Sequence, residues 1–148
     1  MELASIMRPE NMTLELKATE RVEAIKELID KLYASDAITD KEEILKAVLQ
    51  REEEFSTGIG FQVAIPHAKS KFVKKPSIAY GKSEVGVDWP SEDGENPKMI
   101  FLIAVPDTVT NDHLKLLAQI ARKIIHDDVR EKILNAKEIE DVIHAFEK

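Results

Sequence analysis

The chain has 148 residues, the length of a single domain able to bury about 70% of the surface its unfolded chain exposes. Its composition, 43% hydrophobic and 33% charged with 5 Gly and 6 Pro, excludes disorder, collagen-like repeats and low-complexity sequence. Lys and Arg number 21 against 28 Asp and Glu, and the resulting formal charge of -7 has the wrong sign for a face that grips nucleic-acid phosphates.

Cysteine is absent, which removes disulfides, thiolate metal sites and thiol nucleophiles together. No apolar run is long enough to span a bilayer, and the segment Met1–Met12 lacks the cationic and apolar halves of a secretion signal, so a cytoplasmic chain is expected. In chain order, Val22, Ile25, Leu28, Ile29 and Leu32 recur at helical spacing behind Thr19, a candidate N-cap. A second helix carries Ile44, Leu45, Val48 and Leu49 behind a capping box of Thr39 and Glu42, and ends before Gly58 and Gly60. The pattern then changes to short apolar runs, read as strands over 61–65, 77–81 and 98–105.

Met99 to Val105 shows no polar alternation, so both of its faces should be covered. The expected architecture is therefore a single-domain, three-layer α/β/α fold with a mixed central sheet, spanning residues 1–148. Trp89 to Pro97 is dense in turn formers and reads as a surface loop. Asn111 or Asp112 can cap a long helix whose Leu114, Leu117, Ala118, Ala121, Ile124 and Ile125 share a face. Shorter helices follow around Val129 to Leu134 and Ile139 to Phe146, with no internal repeat and no linker.

One histidine has an unusual setting. A glycine-containing turn, Thr57-Gly58-Ile59-Gly60, leads into an apolar strand that ends in Pro66 and His67. Proline restricts its own backbone and the residue before it, so the imidazole is presented from a stiff strand end. Either His67 merely closes that strand, or it is a nucleophile with one ring nitrogen held by an acceptor. Thr57, the two glycines and Arg51 upstream are parts suited to stabilising an anion. His113 follows Asp112 at a helix start, where the dipole favours a neutral ring; an exposed helix-start histidine is the other reading. His126 and His144 are assigned to structure. Glu52, Glu53 and Glu54 read as a solvated helix face. Lys69, Lys71, Lys74 and Lys75 read as a solvated loop, or as a patch that attracts an anionic donor. No metal, phosphate-loop or dinucleotide motif is present.

The segment Thr57-Gly58-Ile59-Gly60 followed by Val63-Ala64-Ile65-Pro66-His67-Ala68 resembles the phosphorylation-site signature of fructose/mannitol-type EIIA domains of the bacterial phosphoenolpyruvate-dependent sugar phosphotransferase system. The resemblance continues through Leu49-Gln50-Arg51-Glu52, Pro76 to Ala79, Asp93 to Pro97, Phe101 to Ala104 and His113 to Ala118, nearly the whole chain. It implies that His67 takes a phosphoryl group on Nε2 from the phosphohistidine of HPr and passes it to a cysteine of an EIIB domain, meeting the membrane component EIIC only indirectly. It also implies that Arg51 and His113 flank the ring and that these two, with Thr57, donate to the phosphoryl oxygens, with no cofactor and no metal. Phe61 and Gln62 depart from the pattern, since many members have a small residue, often glycine, at the second position. With neither cysteine nor membrane span, a free-standing EIIA is expected. A regulatory protein of the nitrogen-related EIIA type is the alternative, and the joint presence of His67, Arg51 and His113 argues against a scaffold that has lost phosphotransfer.

Overall fold

The uninterrupted apolar run around residue 100 becomes β6 (Met99–Pro106), the central strand of a mixed sheet. The computed structural model describes residues 3–108 and 112–147, with only the backbone of Asp112 and His113. β6 pairs antiparallel with β5 (Ser77–Lys82) on one side and parallel with β3 (Val63–Ala64) and β4 (His67–Ser70) on the other. β1 (Met12–Thr13) runs along β5 at one edge, and β2 (Gly58–Gly60) folds back on β3 at the other.

Alternation along β6 sends Met99, Phe101, Ile103 and Val105 into one core and Ile100, Leu102 and Ala104 into the other. The first core is covered by α3 (Asp112–Ile124), α4 (Asp127–Leu134) and α5 (Ile139–Ala145). The second is covered by α1 (Arg21–Ala34) and α2 (Lys41–Glu54). This is the three-layer α/β/α arrangement that the unalternating run predicts. None of these helices is long and apolar enough to cross a membrane.

α1 buries Ala24, Ile25, Leu28, Ile29 and Leu32 on one stripe, and full burial of each Ile or Leu is worth roughly 1.5–3 kcal/mol. Its cap is Glu20, one residue later than expected, because the Thr19 carbonyl is taken by the Asp88 N–H at 2.8 Å and the first helical N–H, that of Ala24, goes to the Glu20 carbonyl at 2.9 Å. α2 shows the same displacement. Asp40 caps it by accepting the Glu43 N–H at 3.1 Å, while Thr39 gives its hydroxyl to the Phe72 carbonyl at 3.3 Å. In α3 the buried residues are Leu116, Ile120 and Ile124, whereas Leu114 and, one residue past its end, Ile125 are exposed. The apolar positions of that helix admit two neighbouring stripes, and packing on β6 selects the one that periodicity alone does not favour. Its expected caps, Asn111 and Asp112, lie outside the described residues and side chains.

The single strand expected over 61–65 is interrupted. Phe61 and Gln62 form a two-residue turn between β2 and β3 with φ of 59° and 64°, the left-handed pair that a tight hairpin of this twist requires. Asp93 of the long loop steadies the turn by accepting the Phe61 N–H at 3.1 Å. Backbone N–H groups of Glu95 and Phe61 hold its carboxyl below the usual carboxylate range, so the stability this contact adds is complete above that range and is gone once pH has fallen below it, through the lowered folded value. The Gln62 carbonyl accepts from both Lys98 and Met99, but its side chain gains nothing from the left-handed backbone. Gln62→Gly is therefore expected to stabilise the protein by about 1 kcal/mol, relief of the left-handed strain outweighing the added flexibility of the unfolded chain. Urea unfolding checks this, and a lower midpoint than that of the parent would contradict it.

Candidate functional site

Pro66 divides what would otherwise be one strand into two. Lacking an N–H it gives nothing to the ladder, its carbonyl accepts the Ile103 N–H at 3.0 Å, and the chain resumes as β4. His67 thus opens a strand, where the apolar pattern alone has it closing one. It stands opposite Ile103 and retains 9% of its surface. Nδ1 lies 3.0 Å from the Ile65 carbonyl. A carbonyl only accepts, so Nδ1 is the donor and carries the proton; in the neutral ring the lone pair then belongs to Nε2.

The imidazole lines a cavity of about 220 Å³ between β4 and the last turns of α2, together with Gln50, Arg51, Glu54 and Lys69. A larger cavity of about 930 Å³, lined by Leu3, Arg122, His126 and Phe146 among others, lies away from Arg51, Thr57 and His67. The smaller one carries the chemistry, because its imidazole is the one whose Nδ1 is fixed by a backbone carbonyl, with the Arg51 guanidinium beside it. Arg51 sits in the last turn of α2, where a cation meets open carbonyl dipoles, and its Nη1 donates to the Phe55 carbonyl at 2.6 Å.

Two expectations are corrected here. Glu52 is not part of a solvated face, since its side chain is 2% exposed, although Glu53 and Glu54 are exposed as expected. One carboxylate oxygen of Glu52 accepts the Thr57 hydroxyl; the other accepts the Thr57 N–H at 3.3 Å and lies 3.4 Å from Nη1 of Arg21. Thr57, itself buried, therefore spends its hydroxyl on Glu52 and does not point it toward an incoming anion. A contiguous chain of contacts leads from this latch to the ring. Glu52 holds Thr57, the Thr57 carbonyl accepts the Ile65 N–H at 3.0 Å, and the Ile65 carbonyl orients His67. The sequence does carry a signal for Glu52, because it continues the buried stripe Ile44, Val48 at spacings of four.

Residues 5–148 match the protein family described as "Phosphoenolpyruvate-dependent sugar phosphotransferase system, EIIA 2". The chain belongs to this family. It is 36% identical to the fructose-specific EIIA component of Haloferax volcanii over 145 residues, covering 96% of this chain and 94% of that one. Its fold overlays the nitrogen regulatory protein IIA-Ntr of Neisseria meningitidis with a TM-score of 0.90 at 24% identity, covering 97% and 98% of the two chains. It also overlays mannitol enzyme IIA of Escherichia coli, determined in complex with phosphorylated mannitol enzyme IIB, with a TM-score of 0.81 at 21% identity and coverage of 95% and 96%.

Within this EIIA fold, Arg51 and His67 come together around one cavity, while Thr57 is not among its lining residues and is held by Glu52. His113 falls in the first turn of α3, and its side chain lies outside the described residues. Phe61 and Gln62 precede Val63, which stands opposite Met99, four residue steps or about 13 Å along β6 from the Ile103 partner of His67, and neither lines the cavity. Phe61 instead packs under Arg130 of α4, whose guanidinium carbon is 4.6 Å from the ring centroid.

Proposed function

We propose that this EIIA is a phosphocarrier in which His67 accepts a phosphoryl group from the phosphohistidine of HPr and delivers it to a cysteine of an EIIB protein, serving uptake of a fructose-class sugar. The observation that supports this most directly is the His67 ring, with Nδ1 committed to a backbone carbonyl, in a cavity it shares with Arg51. In the forward step the Nε2 lone pair attacks phosphorus, the donor's P–N bond breaks, and its electron pair returns to the donor imidazole. The Nδ1 proton stays on the ring throughout. Positioning and charge stabilisation of the three transferred oxygens are what the protein must add. Arg51 is the first donor to those oxygens, and His113 is proposed as the second.

Incubating the protein with phosphoenolpyruvate, enzyme I and HPr should load one phosphate that is acid-labile and base-stable, and a fructose-type EIIB should then remove it. No label at all would overturn the phosphocarrier reading. Label that HPr supplies but such an EIIB does not discharge would overturn the transport role and favour regulation through phosphorylation-dependent partner binding. Arg51→Gln is expected to slow loading roughly 10²–10³-fold, the effect of removing one well-aimed oxyanion donor, with thermal stability within about 1 kcal/mol of the parent. Stopped-flow transfer from phospho-HPr measures the first and thermal unfolding the second.

A further inference from the structure

The four-lysine run after His67 is not one patch. Lys74 is committed to Asp36 at 2.8 Å, and Lys71 lies over the Phe72 ring at 5.4 Å from its centroid. Lys69 differs from both. It belongs to β4, two residues beyond His67, and alternation along a strand puts the two side chains on the same face, about 7 Å apart along the chain. It lines the cavity that holds the imidazole and Arg51, and among the described residues no ion pair engages it.

We propose that Lys69 is a phosphoryl-binding residue, a mobile cation that contacts the oxygens of the group on His67 beside Arg51. The inference rests on the reading of His67 as the phosphorylated residue. Its basis is a division of labour between two cations. The Arg51 guanidinium is tethered to the Phe55 carbonyl at the end of α2, a fixed fork. Lys69 carries a compact charge on a flexible four-carbon stem, able to span one strand repeat and to follow phosphoryl oxygens as they shift from one ring to the other. The cavity also contains Glu54, so without a second cation the approaching dianion would meet one positive and one negative side chain. With Lys69 the local balance becomes positive in a chain whose formal charge is -7.

The test is single-turnover loading from phospho-HPr over a range of donor concentrations up to saturation, with three variants beside the parent and the rates compared at saturating donor. Lys69→Met is expected to load about tenfold or more slowly, Lys69→Arg to recover most of that rate, and Lys71→Met to stay within about twofold of the parent. Three results would overturn the proposal: an unchanged rate for Lys69→Met, an equal loss in Lys71→Met, or a loss that vanishes at saturating donor, which would mark Lys69 as a steering charge only. If the parent itself takes no label on His67, the underlying phosphocarrier reading fails instead; when the parent labels normally, a rate change in the variants bears on Lys69 alone.

Discussion

His67→Ala is expected to take up no phosphate from phospho-HPr under conditions in which the parent protein is loaded completely. The loss should be absolute, because the substitution removes the atom that forms the new P–N bond and not merely a group that stabilises it. The fold should persist. Among the contacts the ring gives up is the hydrogen bond from Nδ1 to the Ile65 carbonyl, and a bond of that kind contributes about 1 kcal/mol net. A circular dichroism melt run beside the labelling assay separates lost chemistry from lost structure. Acid-labile label retained by a folded His67→Ala protein would transfer the site to another imidazole, of which His126 is exposed and His144 lies in α5.

Glu52→Ala is expected to cost about 3 kcal/mol of stability. The carboxylate is almost wholly buried and satisfies two donors of Thr57, its N–H and its hydroxyl. Removing it strands both in a closed pocket, at about 1–3 kcal/mol for each unsatisfied group. Arg21 adds little to the loss, since its guanidinium is 32% exposed and returns to water. For a chain of this length that deficit corresponds to a melting temperature lowered by roughly 6–12 °C. Glu52→Gln keeps an acceptor for one of the two donors and should lose about half as much. A Glu52→Ala protein within about 0.5 kcal/mol of the parent would show that the latch does not hold the loop. Function should follow stability here. The loop that Glu52 pins contains the Thr57 carbonyl, which pairs with Ile65, whose own carbonyl sets the His67 ring. A residual Glu52→Ala protein should therefore load phosphate more slowly even where it is fully folded.

These two residues divide what is legible in the sequence from what is not. His67 stands out because Pro66 and the glycines around Ile59 are local signals, whose backbone consequences need no tertiary partner. Glu52 is hidden by its charged neighbours. Composition reads three consecutive glutamates as solvated, whereas the spacing from Ile44 and Val48 places only the first on the inward stripe. Thr57 misleads for the related reason that a hydroxyl beside a glycine turn is equally suited to an anion and to a buried carboxylate. Only the packing of α2 against the loop selects between them.

What the amino-acid order settled without help was the layering and the mounting of the imidazole. A strand apolar on both faces must be central, and helices striped on one side must cover it. Tertiary structure alone decided the rest: which of two neighbouring stripes α3 buries, that Asp40 and not Thr39 caps α2, and that Lys69 shares a cavity with Arg51 while Lys74 does not. The physical reason is common to all three. Periodicity and backbone restriction act within a few residues, whereas a side chain with two competing partners is assigned by whichever of them folding brings within hydrogen-bonding reach.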